Sequence, residues 1–128
     1  YHNFVPRGKY MGRDPLNKWL APSCILMHED SYSNGSGFPW VYREQGIGKL
    51  IGTPVAGTAT SVWWETQMDP TLVFGIPQIG KKDMRGNYME NQELLPDIEV
   101  YNTPEDFING RDPQLETAVR EMMRQAGL

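Results

Sequence analysis

Histidine and cysteine are scarce in this chain of 128 residues, which holds two of the former, His2 and His28, and one of the latter, Cys24. A single thiol excludes an internal disulfide and a thiolate-built zinc site, and its place in an apolar run points to packing. One buried thiol suits either redox environment. No metal and no cofactor is expected. No apolar run approaches the roughly 20 residues that span a bilayer, and no signal-peptide pattern opens the chain. Charge of one sign is never concentrated: 12 Lys and Arg stand against 16 Asp and Glu, a net charge of −4. That argues against a nucleic-acid surface, which needs clustered basic residues. Internal repeats and low-complexity segments are missing as well.

What is present fits one domain with enough chain to bury a core. Its centre of organisation runs from Cys24 to Gly52. Cys24, Ile25, Leu26 and Met27 form a short apolar run, the pattern of a strand covered on both faces. Ser33, Asn34, Gly35, Ser36 and Gly37 then supply the small, cap-forming or φ-tolerant residues of a sharp turn. Pro39 suits the first turn of a helix with Phe38, Val41 and Tyr42 on one face, and Gly46 ends it. Lys49–Gly52 reads as a second strand. A helix start leaves backbone N–H groups unpaired and gathers positive partial charge, so a hydroxyl beside it faces a place where an oxyanion is stabilised. The same residues are ordinary helix caps, and composition does not separate the two readings.

Around this centre, residues 1–22 read as a connecting loop punctuated by Pro6, Gly8, Gly12, Pro15 and Pro22, with Arg7, Lys9 and Arg13 as a solvated basic surface. Residues 23–128 form the domain proper. Thr53–Thr60 is a Gly, Ala and Thr loop. Ser61–Met68 alternates as a strand does, with Val62, Trp64, Thr66 and Met68 on one face. Thr71–Ile79 is a partner strand in which Pro77 belongs at an edge or bulge. Lys81–Asn87 is a polar turn, and Tyr88–Gln92 returns as a strand carrying Glu90; Glu65 is a second, lower-ranked acid. Thr103-Pro104 and Asp112-Pro113 each open a helix. The last helix carries a stripe of Leu115, Ala118, Val119, Met122 and Ala126.

The segments Asp30-Ser31-Tyr32-Ser33-Asn34-Gly35, Phe38-Pro39, Gly46-Ile47-Gly48-Lys49-Leu50-Ile51-Gly52, Gly75-Ile76-Pro77, Tyr88-Met89-Glu90-Asn91 and Pro96-Asp97-Ile98-Glu99-Val100 resemble the core of the tricorn-like carboxy-terminal processing peptidases, family S41. The resemblance covers most of the chain from about Trp19 onward. It implies an α/β or α+β fold of ClpP/crotonase-like β-β-α units, a mixed sheet with flanking helices. The family's nucleophilic serine precedes the glycine of an L-I-G strand by nineteen positions, which selects Ser33 over Ser31 and Ser36. The residue after it, here Asn34 where the family usually has Asp, supplies a backbone oxyanion donor. Glu90 matches the glutamate that orients the family's histidine. Ala56, Gly57 and Thr58 lie in the loop that borders the substrate cleft. A related branch carries a dyad lysine twenty-five residues after the serine; Thr58 stands there, so that dyad is absent.

Neither histidine matches the family's base. His28 reads as a satisfied structural residue, and His2 lies beside a terminus. Because the chain opens at Tyr1, an upstream half carrying the histidine and a second, Gly-rich oxyanion donor is expected to precede it, and the 128 residues alone are expected to hydrolyse little. The partners implied are a peptide or unfolded protein, the upstream half and, as an option, further copies of the chain. The family acts in the cytosol and in the bacterial envelope, so no one compartment follows. The rival reading is a non-catalytic peptidase-like domain that binds a peptide or an apolar small ligand, with Trp40, Trp63, Trp64 and Phe74 lining its pocket. A weaker rival is an acyl-CoA enzyme of the crotonase-like architecture.

Overall fold

The computed structural model describes residues 19–128 and, by backbone alone, two short strands before them, β1 (His2–Phe4) and β2 (Gly12–Asp14). These two pair antiparallel, so the leading segment is not all loop. The side chains of His2, Arg7, Lys9 and Arg13 lie outside the described residues.

The domain is built on β3 (Cys24–Met27), α1 (Asn34–Glu44) and β4 (Lys49–Gly52), a strand-helix-strand crossover whose two strands pair parallel from Cys24↔Lys49 to Met27↔Gly52. The crossover places β4 in the middle of the sheet, since the two-residue strand β7 (Ile98–Glu99) pairs parallel with its other edge. A central strand covered on both faces needs apolar residues throughout, and Leu50 and Ile51 are fully buried. Met27, Tyr42, Leu50, Val55 and Leu94 make the core cluster, with Ile25 and Trp40 packed on it. Asp97 completes the sheet beyond β7: its N–H donates to the Leu50 carbonyl at 2.8 Å, and its Oδ2 accepts the Leu50 N–H at 2.7 Å. Gly52 sits at φ +130°, where a Cβ would lie 2.0 Å from the Met27 carbonyl oxygen. That close approach lets the Thr53 N–H reach the same oxygen.

The antiparallel hairpin of β5 (Thr60–Thr66) and β6 (Val73–Gly80) stands apart from this sheet. Its register slips between Ser61 and Val62, opposite Gln78, so the bulge lies beside Pro77 as the proline requires. Trp63, Trp64 and Phe74 are exposed on it, whereas Trp40 packs on the core; these four rings do not converge on one pocket. Helix α2 (Pro104–Ile108) is followed by α3 (Pro113–Ala126). The expected stripe of α3 is only partly covered. Ala118 is buried, Leu115 and Val119 stay half exposed, and the buried Glu121 meets Lys49 at 2.9 Å and Arg124 at 2.8 Å. A mixed α/β architecture with flanking helices is thus what the chain adopts. None of the described helices is long and apolar enough to cross a membrane.

Candidate functional site

The chain leaves β3 through His28, Glu29 and Asp30 and enters α1 one turn before Pro39. The proline therefore lies inside the helix, at its sixth position, rather than in the first turn. The proline withholds an amide from the Gly35 carbonyl and its ring crowds that carbonyl, at a turn held by contacts from outside the helix. The cap position falls on Ser33.

Ser33 does not behave as a cap. Cap residues adopt extended backbone and accept an N–H from the first turn. Ser33 instead has φ 53° and ψ −112°, its side chain makes no cap hydrogen bond, and it is exposed. Positive φ in a residue with a Cβ is strained, and strain of this kind persists only where the surroundings enforce it. A loop 25 residues away enforces it: the Ser33 N–H donates to Thr58 Oγ1 at 2.8 Å. Thr58 Oγ1 in turn lies 2.9 Å from the buried Ser36 Oγ, and Ser36 Oγ donates to the Ala56 carbonyl at 2.8 Å. Each hydroxyl has one proton, so the chain of bonds runs in one direction, from the Ser33 amide through Thr58 and Ser36 to Ala56.

The first turn of α1 has one amide to spare. Gly35 N–H donates to the Tyr32 carbonyl and Ser36 N–H to the Ser33 carbonyl, while the Asn34 N–H has no acceptor among the described residues. This is the amide immediately after the serine, at the positive end of the helix dipole.

Glu90 lies in a tight turn, not in the strand expected for it. The Gln92 N–H closes on the Met89 carbonyl at 3.1 Å, and Asn91 sits at φ +58°. A side-chain amide at Asn91 makes that left-handed conformation cheap, a signal the local alternation concealed. The turn presses so closely on Gly57 that a Cβ there would meet the Gln92 nitrogen at 2.3 Å, and the Asn91 N–H donates to the Gly57 carbonyl. The Glu90 Oε2 accepts the Ala59 N–H and the Thr60 hydroxyl, each at 2.7 Å. Those bonds, the Thr60 hydroxyl foremost, hold its carboxyl below the ordinary value, and Oε1 has no partner among the described residues. The loop 56–60 therefore grips the serine turn at Thr58 and the glutamate at Ala59 and Thr60.

Of the residues proposed from sequence, Ser33, Asn34, Ala56, Gly57, Thr58 and Glu90 all meet on this loop or the turns it holds. The hydroxyl of Thr58 and the carbonyl of Ala56 are engaged within the protein, and Gly57 is required by the approach of Gln92. Sequence reasoning missed the bracing part of Ser36, whose only signal was a second small hydroxyl three residues into the helix. His28 is half exposed and faces Glu29 and Asp30 at 3.6 and 3.5 Å; its Nδ1 accepts the Asp30 N–H. It makes no hydrogen bond to Ser33. No group of metal-ligating side chains occurs among the described residues. A cleft of about 510 Å³ opens beside the serine turn, lined by Asn34, Gly37, Phe38 and Val41 on one side and Lys81, Lys82 and Met89 on the other.

Residues 5–100 match the family model described as peptidase family S41. The tricorn protease of Thermoplasma acidophilum is 25% identical over 121 residues, which are 94% of this chain and 11% of that protein. A tricorn protease homolog of Saccharolobus solfataricus is 28% identical over 115 residues, 87% of this chain and 11% of the relative. Among solved structures, the tricorn protease superposes with a TM-score of 0.78 at 24% identity, covering 98% of this chain and 12% of that one. Mature CPAF gives 0.70 at 19% identity, covering 93% and 24%. The chain thus spans about a ninth of the length of the curated relatives quoted.

Proposed function

The chain belongs to peptidase family S41, and from that premise we propose that it carries the nucleophile of a serine peptidase, with Ser33 forming the acyl-enzyme. The observation that carries this reading is a serine at a helix start that declines to cap it, held at φ 53° and exposed, beside an amide with no acceptor among the described residues. Ser33 Oγ attacks the peptide carbonyl while a histidine outside the described residues takes its proton. The oxyanion settles on the Asn34 N–H and on a second donor from another segment. Collapse expels the amine with the histidine's proton, and water repeats the sequence to release the acid. Glu90, ionised at neutral pH and with no partner for Oε1 among the described residues, is suited to hold that imidazole's other N–H and to stabilise its charged form.

The test is active-site labelling with a serine-reactive phosphonate, followed by peptide turnover. We expect label on Ser33 in the protein that supplies the histidine, loss of label and turnover in Ser33→Ala, and a fall of at least about a hundredfold in kcat for Glu90→Gln. The 128 residues by themselves should turn over little. Strong turnover that survives Ser33→Ala would remove the nucleophile assignment. A folded protein that takes no label but binds peptides in the cleft would favour the second reading, a non-catalytic domain that holds a peptide or an apolar small ligand.

A further inference from the structure

The described lysines and arginines divide by position. Outside the segment 81–85 every one has a carboxylate partner: Arg43 with Asp97, Lys49 and Arg124 with Glu121, Arg111 with Asp106 and Arg120 with Glu116. Inside that segment Arg85 acts on the neighbouring Asp83, whose carboxyl its charge helps to lower, while Lys81 and Lys82 form no ion pair with the described residues. In a chain with more acids than bases, two adjacent unpaired lysines call for an explanation. Both line the cleft beside the serine turn.

Both lysines are positioned by neutral groups. Lys81 Nζ donates to Asn34 Oδ1 at 3.0 Å, and Lys82 Nζ lies 4.6 Å from the centroid of the Tyr88 ring. A neutral partner orients an ammonium without cancelling its charge, and each ammonium keeps further N–H donors. Below them Phe38, Val41 and Met89 give the cleft an apolar wall, and its volume falls within the roughly 300–1,000 Å³ of small-ligand sites. Apolar below and cationic at the rim, the cleft complements a side chain that is apolar beside one that is negatively charged.

We infer that this cleft is a substrate subsite that takes an apolar residue next to an Asp or Glu, the carboxylate being read by Lys81 and Lys82. The inference rests on the peptidase reading of Ser33, because the cleft begins at Asn34, the residue after the nucleophile. Screening reaches exposed charges, so the preference should weaken with salt.

The experiment compares peptides that differ only in Leu-Glu against Leu-Gln, scanned across the scissile bond. It reads kcat/KM in the active protein and Kd in Ser33→Ala, at low and high salt. The acidic peptide should be favoured by about fivefold for each lysine engaged. Lys82→Gln should lower that ratio, and Lys82→Glu should lower it further, to about one, because its carboxylate offsets the charge of Lys81. Arg120→Gln, far along α3, should leave the ratio where it was. A ratio of one in the unmodified protein, or a ratio indifferent to both Lys82 variants, overturns the subsite. Turnover that depends on Ser33 yet ignores the acid sinks the subsite alone. If turnover proves independent of Ser33, the peptidase reading fails and the Kd comparison still decides whether the cleft selects acids.

Discussion

At the start of α2, Thr103 adopts φ −82° and ψ 159°, its hydroxyl accepts the Asp106 N–H, and the Asp106 carboxylate in turn accepts the Thr103 N–H. At the start of α1, Ser33 adopts φ 53° and ψ −112° and its side chain caps nothing. Both sequences read as a hydroxyl before a helix. The capped one spends its polar groups on its own first turn, as a structural terminus does. The uncapped one is braced from outside, by Thr58 on its amide and by Ser36 on the loop 56–60, and its hydroxyl and the Asn34 amide have no partner among the described residues. Backbone conformation and bonding, rather than residue type, separate a terminus that uses its polar groups on its own first turn from one that leaves them uncommitted.

The contrast can be broken in four places. Thr58→Val should cost the most, about 2 kcal/mol in denaturant melts, because it strips the acceptor from the Ser33 N–H and the partner from Ser36. Thr58→Ser, which keeps the oxygen, should recover most of that. Were the valine variant as stable as the parent, the external brace would be no brace. Thr103→Ala should cost about 1 kcal/mol, the usual worth of a cap, by the same measurement.

Acid should expose the capped start in a third way. Hydrogen bonds from the Thr103 hydroxyl and N–H, with Arg111 adding its charge, hold the Asp106 carboxyl below the ordinary 3.8. A lowered folded-state value stabilises the fold fully above 3.8, and that stabilisation is lost as pH falls through the lowered value. Stability measured against pH should therefore decline more gently on the acid side in Asp106→Asn than in the parent. An unchanged acid limb would mean that this box carries no charge-linked stability. The smallest effect is expected at the serine itself. Ser33→Gly should gain about 0.5 kcal/mol by relieving a positive φ, while Ser33→Ala, which keeps a Cβ, should gain nothing. A loss of stability in the glycine variant would mean that the turn is not strained.

Much of this was legible in the residues. The strands β3 and β4, with a helix between them, follow from two short apolar runs, and Thr103-Pro104 announces its helix because cap chemistry is local. The bulge beside Pro77 follows from the missing amide. The early start of α1 was hidden because Asn34, Gly35, Ser36 and Gly37 carry poor helix propensity; contacts with loop 56–60, made after the fold closes, override it. The turn at Glu90 was hidden because alternation over five residues looks like a strand, whereas Asn91 and the close fit of Gly57 against Gln92 decide the matter through a contact 35 residues away in sequence. The unpaired state of Lys81 and Lys82 was invisible for the same reason, since pairing is a property of neighbours in space.

Thr58 has one more consequence. Where the related branch has its lysine, this chain has a short side chain whose oxygen accepts the Ser33 N–H. A lysine nitrogen stands three carbons farther from the backbone than that oxygen and does not take its place. Exchanging threonine for lysine would therefore remove the acceptor that holds the Ser33 turn, whatever proton acceptor it added.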